Sequence, residues 1–316
     1  INAATNIVSA TVNVPSDNVF AHPYGVAVNP AGTSVYVALL GGNSVSVIDA
    51  GTNTVTATVR VGGNVNGFMG NFIGGPLVPA SINSGGIVNS ASYAANAPVA
   101  PGSLVSVFGV FPVNVAAQAG VVPLPTTLSG LSMQFNGVQA PLFYASGTQA
   151  NVQVPWELAG QTQASVTATI GGQASTAQKV NLASVAPGVF TMNAQGQGAV
   201  VDSLSGQLIS PINPAKAGAT YISIYCTGLG PVTNQPTTGA AALASVFSET
   251  KMPPTVMIGA VPASVLFSGL APTFVGLYQI NVQVPAGVPF GDTVPLIVSI
   301  GGATANAVTI AVQPGS

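Results

Sequence analysis

Few groups in this chain are equipped for chemistry. Its 316 residues include one histidine, His22, one cysteine, Cys226, and one tryptophan, Trp156, with four basic and six acidic side chains. A serine–histidine–aspartate relay would need His22 as its base, and Asp17 is nearby in sequence. No nucleophile-elbow motif accompanies them, and Ala21-His22-Pro23-Tyr24 reads as a turn leading into a strand. A single histidine rules out a multi-histidine metal site, and a single cysteine rules out a thiolate cluster or an intrachain disulfide. Cys226 lies in the apolar run 221–226, where a buried, inert thiol is expected. Asp49 precedes Gly51 and reads as a turn cap, and Asp292 after Gly291 has the same setting. Glu157 and Asp202 can meet only if the fold brings them together. No catalytic, cofactor-binding or metal-binding residue is therefore predicted.

Three weaker possibilities remain. A Lys–Asn isopeptide bond requires a buried lysine beside an acid; Lys179, Lys216 and Lys251, with Asn181 and Asn213 among the partners, read instead as solvated lysines. The Gly-Gly pairs starting at Gly41, Gly62, Gly74, Gly85, Gly171 and Gly301 lack a phosphate-loop spacing and read as tight turns. Trp156, in Val154-Pro155-Trp156-Glu157, is a possible ligand platform for sugar stacking; packing over the end of a β-domain is the alternative.

Charge defines the class of surface. Only 3% of residues are charged, and none lies between Arg60 and Glu157. Ordinary globular chains are about one quarter charged. Four basic residues cannot form the cluster that nucleic acid requires, so no nucleic-acid partner is expected. Glycine and proline interrupt every apolar run well short of the ~18 residues of a membrane helix, so no membrane-spanning segment is expected. The start Ile1-Asn2-Ala3-Ala4 fits a mature chain after signal cleavage, or a fragment. No Asn-x-Ser/Thr sequon is present.

The positioning elements read as strands. Short Val/Ile/Thr/Tyr runs alternate apolar and polar residues, with turn residues about every 8–12 positions. Residues 54–61, 165–170, 279–284 and 307–312 are examples, and 239–247 is the one place for a short helix. Two repeats organise the chain. Thr5-Asn6-Ile7-Val8-Ser9-Ala10-Thr11-Val12-Asn13-Val14 recurs as Thr52-Asn53-Thr54-Val55-Thr56-Ala57-Thr58-Val59-Arg60-Val61. Tyr24-Gly25-Val26-Ala27-Val28-Asn29-Pro30, Val35-Tyr36-Val37-Ala38 and Asn43-Ser44-Val45-Ser46-Val47-Ile48-Asp49 lie between. This pattern resembles the YVTN type of β-propeller repeat over about residues 1–63. The resemblance implies one complete four-stranded blade, 24–61, and, at 6–14, the outermost-type strand of a preceding blade.

The second repeat pairs Asn151-Val152-Gln153-Val154-Pro155 with Asn281-Val282-Gln283-Val284-Pro285, and Ile170-Gly171-Gly172 with Ile300-Gly301-Gly302. Residues 101–109 similarly parallel 217–225. Three parts are expected: 1–78, a blade-like domain with its N-terminal strand and linker, then sandwiches at 79–186 and 187–316. The motifs Ile87-Val88-Asn89-Ser90-Ala91-Ser92-Tyr93, Val154-Pro155-Trp156-Glu157 and Thr227-Gly228-Leu229-Gly230-Pro231 resemble a bacterial family of uncharacterised secreted proteins with paired immunoglobulin-like domains. That resemblance implies an extracellular or cell-surface setting and supplies no activity. The expected fold class is all-β: a single propeller-blade-like antiparallel sheet followed by two tandem immunoglobulin-like β-sandwiches.

A single blade exposes sheet edges that invite strand addition. The expected function is a non-enzymatic structural subunit of a filament or surface assembly, with copies of itself as partners, head to tail. The donor-strand residues are Asn6, Ile7, Val8, Ala10, Val12 and Val14. Pairing of that strand within its own chain is the alternative arrangement. The alternative function is a soluble or surface-attached adhesin for carbohydrate or protein, with Trp156 as the platform.

Overall fold

The sharpest alternation in the sequence, Ser44-Val45-Ser46-Val47-Ile48, becomes a strand that buries Ser44, Ser46 and Ile48 on one face. The computed structural model describes residues 5–14, 22–29, 32–61, 79–113 and 115–315. The chain divides into two compact units, Ile1–Val78 and Pro79–Ser316. It is all-β; among the described residues the only helical element is a 3-10 turn, Trp156–Leu158. No helix there is long and apolar enough to cross a membrane.

In the first unit, β1 (His22–Val28), β2 (Ser34–Leu40), β3 (Ser44–Asp49) and β4 (Thr54–Arg60) form an antiparallel sheet in sequence order. The β3–β4 turn is fixed by Asp49, whose Oδ1 accepts hydrogen bonds from Gly51 N (3.0 Å), Thr52 N (2.8 Å) and Thr52 Oγ1 (2.9 Å). These bonds, that from Thr52 N foremost, hold the Asp49 carboxyl below its ordinary range. One face of the sheet centres on Val37, Leu39 and Ile48, against which Val12 and Val14 pack.

That packing corrects the strand expected at 6–14. Ile7 makes an isolated bridge and residues 8–14 form no strand. The same alternation that makes β4 here places two valines across a sheet face. Burial of apolar area, rather than ladder hydrogen bonding, orders this segment.

The second unit holds two sandwiches. The first comprises β5 (Ser81–Asn89), β6 (Leu104–Val110), β7 (Ala117–Gln118), β8 (Thr127–Leu128), β9 (Leu131–Phe135), β10 (Val138–Ala140), β11 (Leu142–Ala145), β12 (Gln149–Gln153), β13 (Gln163–Ile170), β14 (Gln173–Ala174) and β15 (Gln178–Asn181). One sheet runs β5-β6-β12-β11-β7, and the other is built on β10-β9-β13. Phe111, Leu131, Met133, Phe135 and Leu142 fill the space between them.

The second sandwich comprises β16 (Gly188–Val189), β17 (Val200–Asp202), β18 (Ala215–Lys216), β19 (Tyr221–Thr227), β20 (Thr255–Ile258), β21 (Val261–Ala263), β22 (Val265–Leu270), β23 (Tyr278–Gln283), β24 (Gly291–Ile300), β25 (Ala303–Thr304) and β26 (Val308–Gln313). Its sheets run β16-β19-β23-β22 and β18-β26-β24-β20-β21. Ile222, Ile224, Tyr278, Ile280 and Leu296 form its centre.

The helix expected at 239–247 is absent. Gly239 adopts a left-handed backbone (φ 85°), and its amide donates to Gln153 Oε1. Ala240 N turns back to Thr237 O, and Ala242 bridges Pro272. Tertiary hydrogen bonds consume the groups that a helix would have paired internally.

Candidate functional site: the sandwich junction and the open sheet

Two places carry the residues singled out in the sequence. The first is the junction between the two sandwiches, where backbone ends of β6 and β12 meet loops of the second copy. Thr227, buried at the end of β19, accepts a hydrogen bond from Leu104 N (2.9 Å) and donates to Gly276 O (2.9 Å). Gln153, buried at the end of β12, accepts from Gly239 N (2.7 Å) and donates to Gly102 O (3.4 Å). Asn89, at the end of β5, donates to Ala186 O (2.9 Å) and accepts from Ala91 N (2.8 Å). An added Cβ at Gly276 would lie 2.8 Å from Leu104 Cδ2, so the approach depends on glycine there.

Trp156 is the hydrophobic counterpart of these polar clamps. It follows β12, is 5% exposed, and belongs to the second sandwich's core cluster although it stands in the first copy. Its amide donates to Thr238 Oγ1 (3.0 Å), and that hydroxyl donates to Glu157 Oε2 (2.7 Å). The ring lies over Gly102, whose φ of 79° and missing side chain make room for it. Beside it is a pocket of about 360 Å³, lined by Trp156, Pro101, Leu182, Pro231, Gln161 and Gln235 among others, with no ionisable group. The indole Nε1 is buried with no hydrogen-bond partner among the described residues. Trp156 thus packs between the sandwiches, with little of its ring open to solvent.

The second place is the sheet of the first unit. β4 is an outer strand of the path β1-β2-β3-β4, and Val55 is its one residue that is not exposed. Of the donor-strand residues, Asn6, Ile7, Val8 and Ala10 are exposed, while Val12 and Val14 are half-buried. Residues 5–14 match 52–61 everywhere except Ile7/Thr54, Ser9/Thr56 and Asn13/Arg60.

The remaining chemical groups lie apart. His22 is exposed at the start of β1, and Asp17 lies outside the described residues. Asp202 Oδ1 accepts from Leu204 N (2.9 Å) and Ser205 N (2.8 Å), and the bond from Ser205 N is the main reason its carboxyl is held below its ordinary range. Asp202 pairs with Ile222 near the start of β19, whereas Glu157 belongs to the junction at its other end, so the two carboxylates do not meet. Asp292 is exposed within β24 rather than in a turn. Lys179, Lys216 and Lys251 are all exposed, which removes the buried lysine an isopeptide bond requires. Cys226 is buried and its thiol is pushed up by desolvation; Tyr278 beside it is pushed up chiefly by burial and donates its hydroxyl proton to Gly230 O. No group of three or more potential metal ligands occurs among the described residues. The polar clamps Asn89, Gln153 and Thr227 were not singled out in the sequence. The available signals were the quoted motifs that contain Asn89 and Thr227 and the recurrence of Gln153 as Gln283 within the longer repeat.

No protein-family model matches the chain. The PE-PGRS family protein PE_PGRS18 of Mycobacterium tuberculosis is 52% identical over 48 residues, 15% of this chain and 10% of that protein. The chain thus matches about a tenth of the length of that curated relative. Among solved structures, domains 5–6 of the S-layer protein SbsC are 12% identical over 75% of this chain and 100% of theirs, with a TM-score of 0.23. The I9–I11 tandem from titin is 13% identical over 72% of this chain and 66% of its own, with a TM-score of 0.20. The C-terminal domain of the Streptococcus agalactiae AgI/II polypeptide BspA is 9% identical over 74% of this chain and 100% of its own, with a TM-score of 0.18.

Proposed function

We propose that this protein is a non-enzymatic structural subunit of an extracellular or cell-surface assembly, joined to copies of itself by β-strand addition. The observation that carries this reading is that β4 is an outer strand of the sheet among the described residues, while a near copy of it, residues 5–14, forms no strand over 8–14. β4 is exposed along an outer edge, and residues 5–14 repeat its sequence while making no ladder beyond Ile7. Ile7 and Val8 are 64% and 63% exposed. In an extended strand Val8, Ala10, Val12 and Val14 share one side, as an added strand requires. An unpaired edge is a template for such a strand from another chain. Deletion of residues 1–14, followed by electron microscopy beside the full chain, tests the reading. Loss of polymers is expected; polymers of unchanged form would overturn strand donation.

A second reading, a binding module for carbohydrate, is favoured by the pocket beside Trp156, which no ionisable group lines. Such a site would take a neutral ligand with an apolar face. Because Trp156 is the single tryptophan, its emission reports on the pocket directly. Titration with methyl glycosides should give a saturable shift under this reading, and an unchanged spectrum would dismiss it.

A further inference from the structure

The duplication supplies an internal comparison. Both sandwiches build the same end from a glycine, a glutamine and the residues after the β12 or β23 strand. Gly102 N donates to Val154 O (2.8 Å), and Gly218 N donates to Val284 O (2.9 Å). Gln153 Nε2 donates to Gly102 O (3.4 Å), and Gln283 Nε2 donates to Gly218 O (2.9 Å). Both glycines are left-handed, with φ of 79° and 75°, and each faces the residue after the Val-Pro pair, Trp156 or Ala286.

The ends differ in what covers them. In the first copy Gly102, Gln153 and Trp156 are buried under the second sandwich, and Gln153 Oε1 holds Gly239 N. In the second copy Gly218 and Ala286 are exposed, and Gln283 Oε1 receives no hydrogen bond among the described residues. This end lies at the start of β19, while the existing junction uses its finish, Thr227; seven residues separate the two by roughly 20 Å. At this end Leu204 (87%), Tyr221 (40%) and Phe290 (55%) are exposed, Phe290 standing beside Gly291, which pairs with Val312 next to Ala215. Ser203 N donates to Tyr221 O (2.8 Å), which sets Leu204 beside the start of β19. Asp202, Lys216 and Asp292 are the nearest charges along the chain, and Asp202 is engaged by Leu204 N and Ser205 N.

We propose that this end of the second sandwich docks the first sandwich of a second copy, repeating between molecules the junction already made within one. The internal repeat points to that occupant: the same end-device, covered by a sandwich in one copy, is exposed in the other. Within the chain, the finish of β19 meets the start of β6. Between chains, the finish of β6, where Val110 and Val115 are 45% and 72% exposed, meets the start of β19. The two surfaces differ, so the contact is heterologous and extends without closing. The identity of the occupant rests on the self-assembly reading above, but the surface is independent of residues 5–14.

The test compares the triple variant Leu204→Ser/Tyr221→Thr/Phe290→Ser of the full chain with the 1–14 deletion, by sedimentation velocity and electron microscopy. All three side chains are exposed, so an unchanged thermal midpoint is expected. The triple variant should raise the concentration needed for assembly about a hundredfold or more. Val121→Ser, an exposed valine of the first sandwich, should leave assembly unchanged. Polymers lost in the triple variant but kept in the deletion would support this interface and overturn strand donation. Polymers kept in the triple variant but lost in the deletion would do the reverse. An unaltered chain that stays monomeric at all concentrations would overturn both.

Discussion

Replacing Gly102 or Gly218 by alanine places the same change in two copies of one turn, so their difference isolates the junction. Both glycines have nearly equal positive φ, 79° and 75°. The left-handed backbone costs each alanine about 1–2 kcal/mol. The space around the new methyl group differs between them. At Gly102 the new Cβ would lie 2.1 Å from Trp156 Cη2 and 2.3 Å from Cζ2 and Cζ3. That ring is 5% exposed and its backbone is held by Thr238, so it cannot simply swing away. At Gly218 the nearest atom is Ala286 Cβ at 3.3 Å, which a shift of a few tenths of an ångström relieves. Overpacking a close-fitted interior costs about 1–3 kcal/mol. Gly102→Ala should therefore destabilise by about 1–3 kcal/mol more than Gly218→Ala. Urea unfolding tracked by far-ultraviolet circular dichroism measures both. Trp156→Ala alone should cost about 3–5 kcal/mol. The double variant Gly102→Ala/Trp156→Ala should cost less than the sum of its parts, because the clash disappears. Equal costs for the two glycines, or an additive cycle, would refute the assignment of Trp156 as the junction's packing anchor.

Three more outcomes are expected of the same structure. Thr227→Val keeps the shape but strands Leu104 N–H and Gly276 C=O, so a loss of about 2–4 kcal/mol is expected in urea unfolding; a loss below about 0.5 kcal/mol would contradict the bridging role. Burial raises Cys226 and Tyr278 above their unfolded values of about 8.5 and 10. Their contribution is therefore complete below about pH 8.5 and declines as pH rises, by up to about 1.4 kcal/mol per unit for each group. Urea midpoints from about pH 7 to 11 should fall accordingly, and Cys226→Ala should flatten the segment between about pH 8.5 and 10. Polymers should persist in molar sodium chloride, since most residues assigned to their contacts are uncharged and screening acts on charges; dissolution on adding salt would count against those contacts.

Much of the fold was readable because a strand's side chains alternate with a period of two. Ser44–Asp49 became β3, although its buried face carries Ser44, Ser46 and Ile48 and leaves Val45 and Val47 only half-buried, and the apolar run containing Cys226 became the core strand β19. The longer repeat announced two similar domains. Asp49 before Gly51 announced its turn, because that cap needs only groups within three residues. Glu157 and Asp202 show the opposite case. Nothing in their local sequence distinguishes a shared site from the separation observed.

Alternation, turn residues and composition are local properties, and they were enough to make the chain all-β, duplicated and scarcely charged. Contacts between distant segments settled what each repeat does with the same pattern. Residues 5–14 and 52–61 are near copies, yet only the second forms a full strand, since a ladder exists only where a neighbouring strand offers its backbone. Trp156 and Ala286 likewise occupy matching positions, and one is buried while the other is exposed. The difference lies in which end of a sandwich meets another surface, and burial depends on that partner, not on the residue's own neighbours in sequence.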